Sequence, residues 1–191
     1  MKMGGEIVSK IENGVNVDQL LETVSAIKAN PSLAQFKFRA ATEWVKGGHS
    51  RTKIQSFYGA GTEDKSRSKP FTLEGDEPPV LLGTNKAPNA VETVLSALAS
   101  CLSVGFIYNA AAQGIKIEAL DFTLEGDVDL HGFLGLSDKV RPGYGNIRVN
   151  YRVKTDAPKE KVLELCDYVQ RTSPVLDIIR NPVPVTVTLE D

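Results

Sequence analysis

The chain has 191 residues, of which 41% are hydrophobic and 24% charged, a composition typical of a soluble globular protein with one domain or two. Its net charge of -2 gives no general attraction for phosphate backbones or anionic lipid, so neither nucleic acid nor a membrane is an expected partner. Two cysteines cannot form a disulfide framework, and MKMGGEIVSK lacks the apolar core of a signal peptide, so we expect a cytoplasmic location.

The N-terminal part of the chain predicts a short amphipathic helix. Leu, Val and Ile residues fall on one helical stripe within 17–29, before a stop at Asn30-Pro31. We interpret residues 1–34 as an N-terminal helical extension and residues 35–191 as the main domain.

A β-hairpin is predicted next. From Gln35 to Val45 apolar and polar residues alternate, which indicates a strand with one buried face. Gly47-Gly48 supplies the turn, and Thr52 to Phe57 forms the returning strand. The segment 59–88 is rich in Gly, Pro and charge and predicts a long loop, with short extended pieces at 71–73 and 80–82.

A long apolar helix is predicted from Asn89 to Gly114, with no charge between Glu92 and Lys116. The uncharged run is about as long as a bilayer requires. Its serines, Asn109 and other polar residues, and the absence of a flanking basic cluster, favour a helix buried inside protein.

The C-terminal half alternates strands with helices. The predicted elements are strands at 119–130 and 146–154, a helix that follows the cap Asp156-Ala157-Pro158, a short helix from Ser173-Pro174 to about Arg180, and a closing strand at Val183–Leu189. Antiparallel strands separated by a few helices, without strict βαβα alternation, predict the α+β class.

Cysteine is the only strong nucleophile that the sequence offers near neutral pH. Cys101 lies with Ala97 and Gly105 on a stripe of small residues, which suits close helix packing as well as chemistry. Cys166 lies on the apolar face of its helix and is expected in the core. His49 and His131 belong to no metal-binding motif, so we expect neither a metal nor a cofactor.

Several segments in order resemble the OsmC/Ohr family. They are the FRAATEWVKGGHSR hairpin, the helix APNAVETVLSALASCLSVGFIYNAAAQGI, the GFLGL–PGY loop, and the ending SPVLDIIRNPVPVTV, which together span about residues 35–189. The resemblance implies an OsmC-like α+β fold in which antiparallel sheets wrap around a long central buried helix. It also implies an intertwined homodimer with active sites at the subunit boundary.

The peroxidase members of that family imply roles for three residues here. Cys101 matches the cysteine that attacks the peroxide as a thiolate and becomes sulfenic acid. Arg51 is the best match for the arginine that stabilises the thiolate, with Arg39 second. Glu92 is the candidate for the glutamate that orients the arginine.

Two positions depart from the peroxidase pattern. The family's glutamate falls where Val91 stands here, so Glu92 is rotated by about 100° on the helix, and a cap or a salt bridge elsewhere is the alternative role. The resolving cysteine of a Cys-Pro-Val sequence is replaced by Ser173, which cannot form a disulfide. Cys166 precedes Ser173 by two helical turns, about 10 Å along the axis, and is expected to be too far away to replace it.

Two functions are consistent with these residues. The first is a one-cysteine peroxidase that reduces organic hydroperoxides or hydrogen peroxide through Cys101 and is restored by an external thiol. The second is a non-catalytic OsmC-fold dimer that binds a small hydrophobic ligand or a stress-related partner.

Overall fold

A computed structural model describes residues 9–190, so the first eight residues of the predicted extension lie outside the described residues. These residues form two compact units. The sheet unit comprises residues 18–94, and the C-terminal unit comprises residues 9–17 together with 95–190. The predicted domain boundary between residues 34 and 35 stays a prediction.

The sheet unit contains the predicted hairpin. Helix α1, Val17–Ala29, confirms the predicted helix. A three-stranded antiparallel sheet has the order β3, β4, β7, where the strands are Ala41–Lys46, His49–Ile54 and Phe71–Gly75. A second antiparallel pair is formed by β5, Phe57–Gly59, and β6, Thr62–Asp64. The hairpin turns at Gly47, whose positive φ of 58° favours glycine.

Two predictions in this unit need correction. The strand expected from Gln35 begins only at Ala41, and the residues before it contribute one isolated bridge, between Lys37 and Tyr58. The prediction of an extended piece at 80–82 is wrong, because Pro79–Leu81 is a short 3₁₀ helix. Proline fixes a φ that suits the first helical position, and Leu82 ends the turn in the left-handed region.

A buried carboxylate braces the loop that leads to the long helix. Asp76 is 3% exposed and accepts hydrogen bonds from the backbone N–H groups of Glu77, Thr84 and Lys86 and from the Thr84 hydroxyl. These bonds, the Thr84 hydroxyl foremost, hold the pKa of Asp76 well below its usual range. Gly83 packs on the backbone of Glu77, where an added Cβ would lie 1.8 Å from the carbonyl oxygen. The loop therefore has a fixed shape.

The C-terminal unit is a β-hairpin covered by helices. The long helix α2 spans Ala90–Ala112, so its first turn belongs to the sheet unit. The other elements are β1, Ile11–Glu12; β2, Val15–Asn16; β8, Ile117–Asp127; α3, Leu130–Phe133; β9, Asn146–Thr155; α4, Lys159–Thr172; and α5, Pro174–Arg180. Strands β8 and β9 pair antiparallel along their whole length. This architecture confirms the α+β class, with antiparallel sheets and one long helix.

The core of this unit lies between the helices and one face of the β8–β9 hairpin. Helix α2 contributes a stripe at intervals of four residues, Leu98, Leu102, Phe106 and Ala110. Helices α4 and α5 add Leu165, Cys166, Val169 and Leu176. The inward-facing residues of the hairpin, which alternate as the sequence predicts, are Leu120, Phe122, Leu124, Ile147, Val149, Tyr151 and Val153. The core thus fixes the rotation of α2 about its own axis.

The closing strand predicted at Val183–Leu189 is not formed. The segment is exposed, with Val187 and Leu189 more than nine-tenths accessible. A strand needs a hydrogen-bonded neighbour, and within residues 9–190 none lies beside this segment.

Helix α2 is long and apolar enough to cross a membrane by length and composition alone. The core helix of a soluble protein has the same length and composition.

We expect Asp76→Asn to lower the thermal unfolding midpoint at pH 7 by about 3–6 °C. The asparagine side chain has an NH₂ group in place of one of the two carboxylate oxygens. This NH₂ group donates hydrogen bonds, so it cannot accept one from the backbone N–H groups that face it. Because folding depresses the pKa of Asp76, the carboxylate stabilises the fold above about pH 4 and this contribution is lost as the pH falls further. Circular dichroism melts from pH 7 to pH 3 should show the difference between wild type and variant shrinking.

Asp138→Asn, in an exposed loop, is the control and should melt with the wild type. An Asp76→Asn midpoint equal to the wild type at pH 7 would show that the buried carboxylate does not brace the loop.

Candidate functional site

Cys101 lies beside the core stripe of α2 and contacts Ser173. Its neighbour Leu102 is buried, whereas Cys101 itself is partly exposed. The Cys101 Sγ is 3.2 Å from the Ser173 Oγ. Ser173 is 5% exposed and caps α5, because its Oγ accepts a hydrogen bond from the Leu176 N–H at 3.3 Å. The residue at the resolving position therefore lies against the candidate nucleophile.

The small residues of α2 allow another helix to come close. An added Cβ on Gly105 would lie 3.3 Å from the Cγ1 of Val169 on α4, so the Val169 side chain packs closely on the backbone of α2 there. At Gly105, therefore, a small residue of the stripe Ala97, Cys101, Gly105 allows α4 to pack against α2. Helix α4 leads directly into Ser173, so the same close approach brings the start of α5 to the sulfur.

Cys166 is a core residue, as predicted. Its thiol is buried among the residues that α4 turns towards the β8–β9 hairpin. Burial raises the pKa of the Cys166 thiol, although a hydrogen bond with Tyr151 opposes the shift. A thiol that is both inaccessible and protonated is a poor nucleophile.

Arg51 is held by carboxylates in the sheet unit. The antiparallel register places Arg51 of β4 opposite Glu74 of β7 and Glu43 of β3. Its Nε donates to the Glu74 Oε1 at 2.7 Å, and its Nη1 is 3.5 Å from the Glu43 Oε1. The other oxygen of Glu74 is 2.7 Å from the His49 Nε2. The hydrogen bond from Arg51, followed by that from His49, holds the pKa of Glu74 below its usual range. The hydrogen bond to Glu74 in turn raises the pKa of Arg51.

Glu92 caps the long helix and does not contact Arg51. Its Oε2 accepts a hydrogen bond from the Asn89 N–H at 2.9 Å, while the Asn89 Oδ1 accepts from the Glu92 N–H at 2.9 Å. This reciprocal pair is a capping box. Among the described residues, the carboxylates that contact Arg51 are Glu74 and Glu43.

Glu74 is the residue that sequence reasoning missed. It belongs to the short extended piece at 71–73, which the structure lengthens to Gly75. In the sequence FTLEG, apolar and polar residues alternate. This alternation could have placed Glu74 on the same face of the sheet as Arg51, if β7 had been paired with β4.

Arg39, the second candidate arginine, belongs to a separate exposed pair. Its Nη1 and Nη2 donate to both carboxylate oxygens of Glu63 at 2.9 and 2.8 Å. In the part of the chain that the structure describes, no group of three His, Cys, Asp or Glu side chains could hold a metal ion.

An open groove of about 500 Å³ runs along the outer face of α2 in the C-terminal unit. It is lined mainly by Ser100, Ser103, Val104, Ile107 and Tyr108 of α2 and by Phe122 of β8.

Solved structures of OsmC proteins have the same fold. An OsmC-like protein from Mycoplasma pneumoniae aligns with a TM-score of 0.58 and 16% identity, over 76% of this chain and 89% of that one. A protein from Legionella pneumophila, described as an organic hydroperoxide resistance protein OsmC, aligns with a TM-score of 0.53 and 16% identity, over 77% and 91%. A Psychrobacter arcticus protein, described as a putative osmotic stress induced and detoxification response protein, aligns with a TM-score of 0.54 and 14% identity, over 75% and 88%.

Curated proteins give no match to the sequence. The sequence model of the OsmC-like protein family matches residues 83–188, which is more than half of the chain and includes both Cys101 and Ser173. The chain therefore belongs to the OsmC-like protein family.

Proposed function

We propose that the protein is a thiol-dependent peroxidase of one-cysteine type, which reduces organic hydroperoxides or hydrogen peroxide through Cys101. The observation that supports it best is the contact of a partly exposed Cys101 with Ser173, at the position where peroxidases of the family carry a second cysteine. The Legionella pneumophila protein with this fold is described as an organic hydroperoxide resistance protein.

The proposed cycle needs one cysteine and two molecules of external thiol. The Cys101 thiolate attacks the peroxide, the O–O bond breaks, and a proton converts the leaving alkoxide to an alcohol while the sulfur becomes sulfenic acid. A first external thiol condenses with the sulfenic acid, which forms a mixed disulfide and releases water. A second thiol reduces the mixed disulfide and restores Cys101. Such a reductant requires a reducing compartment, so a cytoplasmic location is part of the proposal.

Arg51 is the proposed stabiliser of the thiolate. Its guanidinium is permanently charged, and the bond to Glu74 fixes its orientation on the sheet. In this proposal Glu74 takes the orienting role that the resemblance assigns to Glu92, which is occupied by the cap of α2. Arg39 is less suited, because both of its terminal nitrogens are bound to Glu63.

A homodimer is the proposed assembly. Helix α2 leaves the apolar side chains Val94, Val104 and Tyr108 exposed on the faces that the core does not cover. The segment Val183–Leu189 exposes alternating apolar side chains and has the pattern of a strand. A second copy of the chain would bury both surfaces, and membership in the OsmC-like family favours this burial of α2 over a membrane span.

A binding protein without catalysis is the second candidate. The open groove along α2 is of a size that suits a small hydrophobic ligand, and Ser173 removes the intramolecular route for regenerating Cys101. Activity measurements separate the two functions.

We expect the wild type to consume tert-butyl hydroperoxide or hydrogen peroxide with dithiothreitol or dihydrolipoamide as reductant. Cys101→Ser should reduce the rate to that of the reductant alone, because serine is not a nucleophile of comparable strength at neutral pH. Cys166→Ser is the matched control and should keep most of the activity, provided that it stays folded. Equal background rates in the wild type and Cys101→Ser would support the binding protein instead.

The two arginines provide a paired test of thiolate stabilisation. Removing a positive charge that acts on the sulfur should raise the pH midpoint of Cys101 alkylation by about one unit or more. Arg51→Ala should therefore lower the second-order rate with peroxide at pH 7 about tenfold or more. Arg39→Ala, which breaks an exposed ion pair, should change neither quantity. The reverse pattern would transfer the role to Arg39.

Light scattering coupled to size exclusion should give a mass of twice the 20.7 kDa of one chain. Val104→Glu places a charge on the exposed face of α2 and should shift the protein towards the monomer, because burying an unpaired carboxylate is costly. Lys139→Gln, in an exposed loop of the same unit, lowers the net charge by the same one unit and is the control for the change in charge. A monomeric wild type at micromolar concentration would contradict the dimer.

A further inference from the structure

Ser173, we propose, is a catalytic residue whose hydroxyl donates a hydrogen bond to the Cys101 thiolate. This inference rests on the proposed function of Cys101. Ser173 stands in place of a resolving cysteine. The role that we assign to it belongs to an earlier step, before any disulfide would form.

The hydrogen-bonding capacity of the two side chains determines the direction of the bond. The Ser173 Oγ already accepts a hydrogen bond from the Leu176 N–H at 3.3 Å, which leaves its single proton for another acceptor. In the thiol form, either Cys101 or Ser173 could donate across the 3.2 Å that separates Sγ and Oγ. A thiolate has no proton and can only accept. Ionisation of Cys101 therefore makes Ser173 the donor.

Burial makes this bond effective. Ser173 is 5% exposed, so water competes little for its hydroxyl proton, whereas Cys101 is a partly exposed residue. A hydrogen bond to a charged partner stabilises that partner more than its neutral form. The backbone holds the hydroxyl in place, because Ser173 is both the last residue before α5 and its cap. The donor is therefore positioned before the thiolate forms.

The same contact affects the oxidised state. A serine hydroxyl does not condense with a sulfenic acid, so the oxidised sulfur remains at Cys101 until an external thiol reaches it. A thiol at position 173 would instead condense with the sulfenic acid, forming a disulfide and releasing water.

Two substitutions in the full-length protein test the proposal. Alkylation of Cys101 by iodoacetamide is followed from pH 5 to pH 10 by peptide mass spectrometry, with Cys166 in the same sample as an internal reference. Ser173→Ala should raise the pH midpoint for Cys101 by about one unit. The labelling of Cys166 should not change. Thr172→Ala, which removes a neighbouring exposed hydroxyl, should behave as the wild type.

Ser173→Cys tests the geometry when Ser173→Ala does not fold. One equivalent of hydrogen peroxide should convert this variant to a species lighter by two hydrogens, in which Cys101 is linked to the introduced sulfur. The wild type should instead gain one oxygen, which a dimedone adduct at Cys101 reports. An Ser173→Cys protein that accumulates sulfenic acid without the disulfide would overturn the contact.

The two proposals fail differently. A raised alkylation midpoint in Ser173→Ala together with a wild type that turns over no peroxide would retain the hydrogen bond and refute the peroxidase. Peroxide turnover with an unchanged midpoint in a folded Ser173→Ala would refute the role of Ser173 and retain the peroxidase.

Discussion

The burial of one stripe of α2 determines the arrangement of the candidate site. Leu98, Leu102, Phe106 and Ala110 occur every fourth residue, so they bring a single face of the helix against α4, α5 and the β8–β9 hairpin. Cys101 precedes a buried leucine and is therefore rotated about 100° from the core, to the edge where α5 begins. A different rotation of α2 would either bury the sulfur completely or remove it from Ser173.

Local sequence patterns predicted most elements, because each depends on residues near in the chain. Helix α1, the turn at Gly47, strand β9 and the start of α5 at Pro174 follow from periodicity, glycine, alternation and proline respectively. The pattern was misleading at 80–82, where three apolar residues suggest a strand but the preceding proline starts a helical turn. Cys101 and Ser173, 72 residues apart, were brought together only by the resemblance to a family.

The partner of Arg51 shows what local patterns leave out. Glu92 was the expected partner because of its place on the helix that carries Cys101, but its carboxylate satisfies the backbone N–H of Asn89. Glu74 reaches Arg51 through the register of β4 and β7, two strands separated by a long connection. The register between two such strands depends on tertiary packing. It therefore cannot be predicted from any short segment of the sequence.

Asp76 shows a similar limit for buried charge. The sequence marks the loop only as rich in Gly, Pro and charged residues, whereas in the structure this one carboxylate receives four hydrogen bonds and determines the path into α2. Composition cannot distinguish Asp76 from Asp64 of the same segment, which is only partly buried, because the burial of Asp76 is a property of the folded loop.

The exposed segment Val183–Leu189 has a consequence for newly made chains. An uncharged run of alternating valine and threonine has the composition of sequences that stack into cross-β aggregates. Pro182 and Pro184 lack the backbone N–H that a continuous ladder requires, so they interrupt pairing at the start of the run. Prolines next to an exposed apolar run are gatekeepers of the kind that limit the stacking of such segments into fibres.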